Sequence, residues 1–205
     1  MVSPTKIVLQ KVQHFLPETR LCKDVLAVSP TKRILRGFIF DRSIMPGMYY
    51  LWAFVMPLYT PKPFVFLNYG DRLAQGETFH ITRDNVDDVS ERIAAVIADG
   101  TLDRIRNIDE PKRFFSHFKR PLRVHLLDFG LTHYVLGRPD QCLRMLEKDA
   151  QRLSPHRSKR DWVEEALLFL EELKADPSAA ARRIENWESA NVDKLGLAKA
   201  MGKIP

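Results

Sequence analysis

Apolar positions at the start of the chain repeat at helical spacing. Ile7, Val8, Lys11, Val12 and Phe15 follow one stripe, Ser3 stands where a cap belongs, Pro4 suits the first helical position, and Pro17 stops the run. This predicts a helix over 4–16. The period then changes. RILRGFIFD at 33–41 alternates apolar and polar residues and reads as a strand. SIMPG turns the chain, and 48–59 is a long aromatic strand that is apolar on both faces. TPKP at 60–63 turns it again, 64–69 is the next strand, GDRLAQGE is a loop, and 78–82 is a short fourth strand. Strands joined by such short connections are expected to pair antiparallel.

A helix over 84–99 follows, with Thr82 or Asp84 as its cap and Gly100 at its end. Val86, Val89, Ile93, Val96 and Ile97 give it one apolar stripe, suited to covering a sheet face. The second face of the sheet still carries aromatics, so the first helix, the C-terminal half or a partner has to bury it. Behind residue 110 the strand signals vanish. Helices are expected near 111–118, 121–136, 139–153, 159–174 and 177–190, broken at Pro121, Gly137-Arg138-Pro139, Ser154-Pro155 and Asp176-Pro177. The fold class is therefore α+β: an antiparallel four-stranded sheet with covering helices, then an all-α bundle of helical hairpins. The boundary falls near 108–112, giving a sheet domain over 1–110 and a helical domain over 111–205. The tail LGLAKAMGKIP is expected to fray.

Within the helical half, LLDFGLTHYVLGRPDQCLRMLEKDAQRLSP (126–155) resembles a tetratricopeptide helical hairpin. Gly130 and Gly137 stand seven apart, as that repeat's two small positions do. Cys142 takes the small place in the second helix and Leu146 the large one, while Ala150 and Pro155 each fall one place late. The resemblance implies two helices in close approach, and it covers one unit of a degenerate array, since 159–190 lacks the paired glycines. In the sheet half, the order GFIFDRS, MYYLWAFVMPLY, FVFLNYG, ETFHI is similar in layout to small bacterial domains, some of them in immunity or defence contexts. That likeness carries over no functional residue.

Composition sharpens the picture in one respect. The chain has 205 residues, 45% apolar and 28% charged, which excludes wholesale disorder and collagen-like repeats. Its net charge of +6 is uneven: residues 111–205 hold 18 of the 32 basic and 13 of the 26 acidic side chains. Two windows without an acid concentrate it. One contains Lys112, Arg113, Lys119, Arg120 and Arg123, the other Arg152, Arg157, Lys159 and Arg160. Such a local positive field attracts an acidic protein face or a polyanion. Phe114, Phe115 and Phe118 interleave with the first window and share one helical face, so phenylalanines inside and cations outside are expected. The predicted binding residues are Lys112, Arg113, Lys119, Arg120, Arg123, Arg157, Lys159 and Arg160. Ser43–Pro61 runs without a charge, yet Pro46, Gly47 and Pro57 interrupt it, so it reads as buried sheet and no membrane association is expected. The N-terminus lacks a signal peptide's apolar core, which fits a cytoplasmic chain.

Motifs for chemistry are sparse. No GxGxxG, GxxxxGK[ST], GxSxG or HExxH occurs, and Cys22 and Cys142 have no zinc-type spacing, so they read as two buried, reduced thiols. His125, Asp128 and His133 are the conceivable metal set, but eight helical steps leave about 80° between the two histidines. Asp87-Asp88, Glu164-Glu165 and Glu171-Glu172 read as helix-start and solvated charges. Glu172-Leu173-Lys174 echoes the ExK end of some nuclease motifs, though on a helix rather than a strand. No cofactor or metal is expected. The reading favoured by the sequence is a non-catalytic adaptor or immunity-type protein that binds a protein partner or acidic surface. The alternatives are a nucleic-acid-binding accessory protein and an enzyme with a dispersed site at His80, or at His125 with Asp128.

Overall fold

The computed structural model describes residues 2–61, 64–118, 126–153 and 161–201. Among them run, in order, α1 (Pro4–Phe15), β1 (Thr19–Cys22), β2 (Val25–Val28), β3 (Ile34–Arg42), β4 (Met48–Pro57), β5 (Gly70–Arg72), β6 (Thr78–His80), α2 (Val86–Ala98), α3 (Thr101–Arg106), α4 (Pro111–His117), α5 (Leu126–Val135), α6 (Pro139–Leu153), α7 (Asp161–Ala175) and α8 (Pro177–Leu195). The class is α+β. The chain divides into two units: Met1–Met56, Val65–Asp109 and Leu195–Pro205 form one, Pro57–Phe64 and Glu110–Lys194 the other.

The first unit holds the sheet. Its order is β1-β2-β3-β4-β5, with β6 also on β4, so six strands stand where the alternation predicted four. β1 and β2 pair antiparallel from Thr19–Val28 to Cys22–Val25, around a turn in which Lys23 takes a φ of 52°. The strand expected over 64–69 does not form: Leu67–Tyr69 make a 3-10 turn, and pairing begins only at Gly70. A side chain there has no room: a Cβ on Gly70 would stand 2.7 Å from the Ala53 carbonyl oxygen. β5 pairs with Trp52–Phe54 and β6 with Met48–Tyr50. Since β3 takes one edge of β4, both short strands must lie along the other, with the chain looped out between them after Leu73, whose amide still donates to the Leu51 carbonyl at 2.8 Å. Ala74, Gln75 and Gly76 carry that loop at φ of 50°, 52° and 82°.

Two helices pack on strands of this sheet, and α2 packs on them. The Ser3 hydroxyl accepts from the Lys6 amide at 3.3 Å and caps α1. α1 packs on β1, β2 and α2, and α3 packs on β3. Val8, Leu9, Val12, Leu26, Phe38, Leu51, Ile93 and Ile97 are buried in this unit. Arg36 is buried with them, its guanidinium donating to the carbonyls of Arg106 (2.6 Å) and Pro30 (2.5 Å). α2 starts at Asn85 rather than at Thr82 or Asp84. The Asn85 side chain accepts from the Thr82 amide and donates to the His80 carbonyl, each at 2.9 Å, closing the turn before the helix. The tail does not fray through residue 201. Leu197 and Ala200 are buried, and the Thr31 amide donates to the Ala200 carbonyl at 2.7 Å.

The second unit is helical, joined by the segment Pro57–Phe64. α5 and α6 pack closely because Gly130 leaves space that a Cβ would take: it would stand 2.9 Å from Leu146 Cδ2. Gly137 serves the turn between them, at a φ of 72° with open space around it. Phe169 packs between Tyr134 and Trp187, with ring centroids 5.3 and 5.7 Å away. The segment after β4 is bound into this unit by polar contacts. The Tyr59 hydroxyl lies 2.8 Å from that of Thr132, and the Asn191 amide donates to the carbonyls of Leu58 (2.6 Å) and Thr60 (2.9 Å). These groups are buried, so the bonds supply what water would otherwise satisfy. Among the described residues no helix is long and apolar enough to cross a membrane.

Candidate functional site

The sequence directs attention first to α4. Pro111 opens the helix, and Phe114 is fully buried beneath it. Phe114 and Phe115 place their rings 5.8 and 5.5 Å from that of Phe129 on α5, and Phe118 lies 5.2 Å from Phe114. Phe115 and Phe118 are half-buried, and Lys112 and Arg113 are exposed. An aromatic seam thus fastens the helix from below while its cations face outward. Arg113 Nε stands 3.6 Å from Glu110 Oε1, and both side chains are about half exposed, so this ion pair neutralises Arg113 weakly. Lys119, Arg120, Arg123, Arg157, Lys159 and Arg160 lie outside the described residues. Two of the eight predicted cations are therefore placed together.

The histidine–aspartate set resolves differently. His125 lies outside the described residues. Asp128 and His133 are buried on α5. The Thr132 hydroxyl between them donates to the Asp128 carbonyl at 2.6 Å. His133 meets the Phe115 ring edge-on at 4.7 Å, and its Nδ1 is buried without a hydrogen-bond partner. Burial, with Arg138 nearby, holds this imidazole below the usual histidine range. Among the described residues no three His, Cys, Asp or Glu side chains converge to hold a metal ion. Both cysteines are buried and free, and burial pushes the Cys142 thiol up to about 12, which suppresses thiolate chemistry.

Of the paired acids of α7, Glu164 and Glu171 are exposed as expected, whereas Glu165 and Glu172 hold the next helix. Glu172 receives Arg183 of α8 through two bonds (2.7 and 2.5 Å), and Glu165 receives it through a third at 2.8 Å. That contact holds the Glu172 carboxyl below its ordinary range. Lys174 pairs with Glu147 of α6 at 2.6 Å. The ExK residues thus join α7 to its two neighbours. On α2, Asp87 pairs with Lys11. His80 is exposed on β6, against the hairpin turn at Gly47. In a groove along α1, lined by Ile7, Gln10, Lys11, Gln13, His14 and Leu21, two side chains bond backbone, His14 the Gln10 carbonyl and Gln13 the Leu21 amide, and Lys11 holds Asp87.

One constellation escaped the sequence. The pairing of β4 sets Trp52 opposite Arg72 and Tyr50 opposite Thr78, so these residues share a face. The Arg72 guanidinium lies 4.0 Å from the Tyr50 ring centroid and 5.1 Å from that of Trp52. Reading 70–77 as a loop hid this. Tyr50 and Trp52 alternate on one strand face, which is legible, but the cation comes from a register that local pattern does not fix.

Compared with protein-family models, with curated proteins and with solved structures, the chain matches none.

Proposed function

We propose that this chain is a non-catalytic binding protein, an adaptor or immunity-type module of the cytoplasm, that engages an acidic protein surface through the cationic side of α4. The observation that carries this reading is the division of that helix, with Phe114 buried below and Lys112 and Arg113 exposed above. A cation on a helix fixed from beneath meets an acidic surface without first ordering its backbone, which keeps the cost of association down. The α5–α6 pair belongs to the proposal as a single degenerate tetratricopeptide-type hairpin, with Gly130 at its close approach.

The test is affinity capture from the native host, followed by titration of the captured protein against the chain and its Lys112→Glu/Arg113→Glu variant. The expected outcome is binding that weakens with salt and falls about tenfold or more in the variant. Equal affinity for both chains overturns the reading, as does repeated failure to capture a protein. If the chain instead shifts DNA or RNA, with log affinity falling linearly against log salt, the partner is a nucleic acid and the protein reading fails.

A further inference from the structure

A second surface stands on the first unit, independent of α4. Alternate residues of a strand point to one side, and register completes the row: Met48, Tyr50 and Trp52 face with His80, Thr78 and Arg72. Arg72 and His80 are exposed, and Tyr50 and Trp52 are half-buried. The nearby acids are already engaged elsewhere. Asp71 pairs with Arg104 of α3 at 2.7 Å, and Glu77 pairs with Arg92 of α2 at 2.9 Å. Among the described residues Arg72 has no carboxylate within ion-pair distance, and its guanidinium lies over the two rings.

Stacking uses the faces of a guanidinium and leaves its edge donors free. The rings also restrict the side chain, so part of the ordering cost of binding is met beforehand. Tyr, Trp and Arg together are the residue types that dominate the energetics of protein interfaces. Apolar surface lies further along the same hairpin. Ile44 and Met45, in the turn before β4, are 102% and 57% exposed. We propose that Arg72, seated on Tyr50 and Trp52, anchors a second binding surface that receives an Asp or Glu side chain of a protein partner. The partner segment carries apolar residues beside that acid, to cover the hairpin turn.

A random peptide library displayed against the whole chain tests this. Enriched peptides are expected to combine an acid with neighbouring apolar residues. The best of them, synthesised and titrated, should lose about tenfold or more in affinity to Arg72→Ala. Arg72→Lys should also weaken it, because an ammonium lacks the planar fork. Arg72→Gln supplies a second variant in case Arg72→Ala is poorly folded. Lys112→Glu/Arg113→Glu should leave this affinity unchanged, which separates the surface from the one on α4. The proposal is overturned if no peptide is enriched, if enriched peptides bind the Arg72 variants as tightly as the parent, or if a single-stranded oligonucleotide is what binds with Arg72 dependence.

Discussion

At the scale of the residue, His133 sits in an environment that conflicts with its own chemistry. Its imidazole is buried, with Nδ1 unpaired and Phe115 against the ring. Folding therefore favours its neutral form, and its folded pKa lies below the unfolded one. The unfolded chain then binds the proton more readily, so the stability that neutral His133 contributes is present above about pH 6.5 and is lost as pH falls through the folded value. Denaturant midpoints at pH 7.5 and 5.5 check this. The drop on acidification should be smaller in His133→Gln than in the parent, and an equal drop refutes the assignment. Phe114 is the opposite case, a residue whose role was legible from its helical position alone. The stripe shared with Phe115 and Phe118 implied a buried seam, and the fully buried ring accords with it. Truncation to Ala should cost about 3–5 kcal/mol by chemical denaturation.

Elements show where sequence pattern suffices and where it does not. In the second half Pro111, Pro139 and Pro177 open α4, α6 and α8 and Gly137 turns the chain after α5, as the sequence announced, while the breaks expected at Pro121 and Ser154-Pro155 lie outside the described residues. β1 and β2 were not. Each is four residues long, and their turn uses Lys23 at positive φ with no Gly or Asn to announce it. The strand expected over 64–69 failed for the reverse reason: FVFLNY has the composition of a strand, but pairing with β4 starts where Gly70 permits close approach. Arg72 was lost with that shift, and with it the constellation on Tyr50 and Trp52. Between α5 and α6 the decisive contact is Gly130 on Leu146. Gly130→Val should destabilise by about 1–3 kcal/mol through overpacking. Adding Leu146→Ala should recover part of that loss, so the double variant is more stable than the sum of the single effects allows. Strict additivity in a denaturation cycle would show that the two residues do not compete for space.

At the scale of the whole molecule, two segments leave their neighbours in sequence to complete a distant unit. Pro57–Phe64 completes the helical unit, and Leu195–Pro205 completes the sheet unit. Composition cannot signal this, because each segment resembles its sequence neighbours more than its spatial ones. Leu197 is fully buried and Ala200 accepts the Thr31 amide. Truncation after Lys194 should therefore lower hydrogen-exchange protection in the sheet unit, beginning at Thr31, while amides of α5 and α6 keep theirs. Uniform loss across both units, or none in the sheet, would count against that assignment.

The clasp of Asn191 on Leu58 and Thr60 also has a meaning during synthesis. A ribosome delivers residues 58 and 60 long before residue 191, so those two carbonyls must wait, hydrated, until the eighth helix emerges. The sheet's closing residues arrive later still. Neither unit is therefore completed before residues 191–201 have been synthesised, and until then their partners upstream stay unpaired.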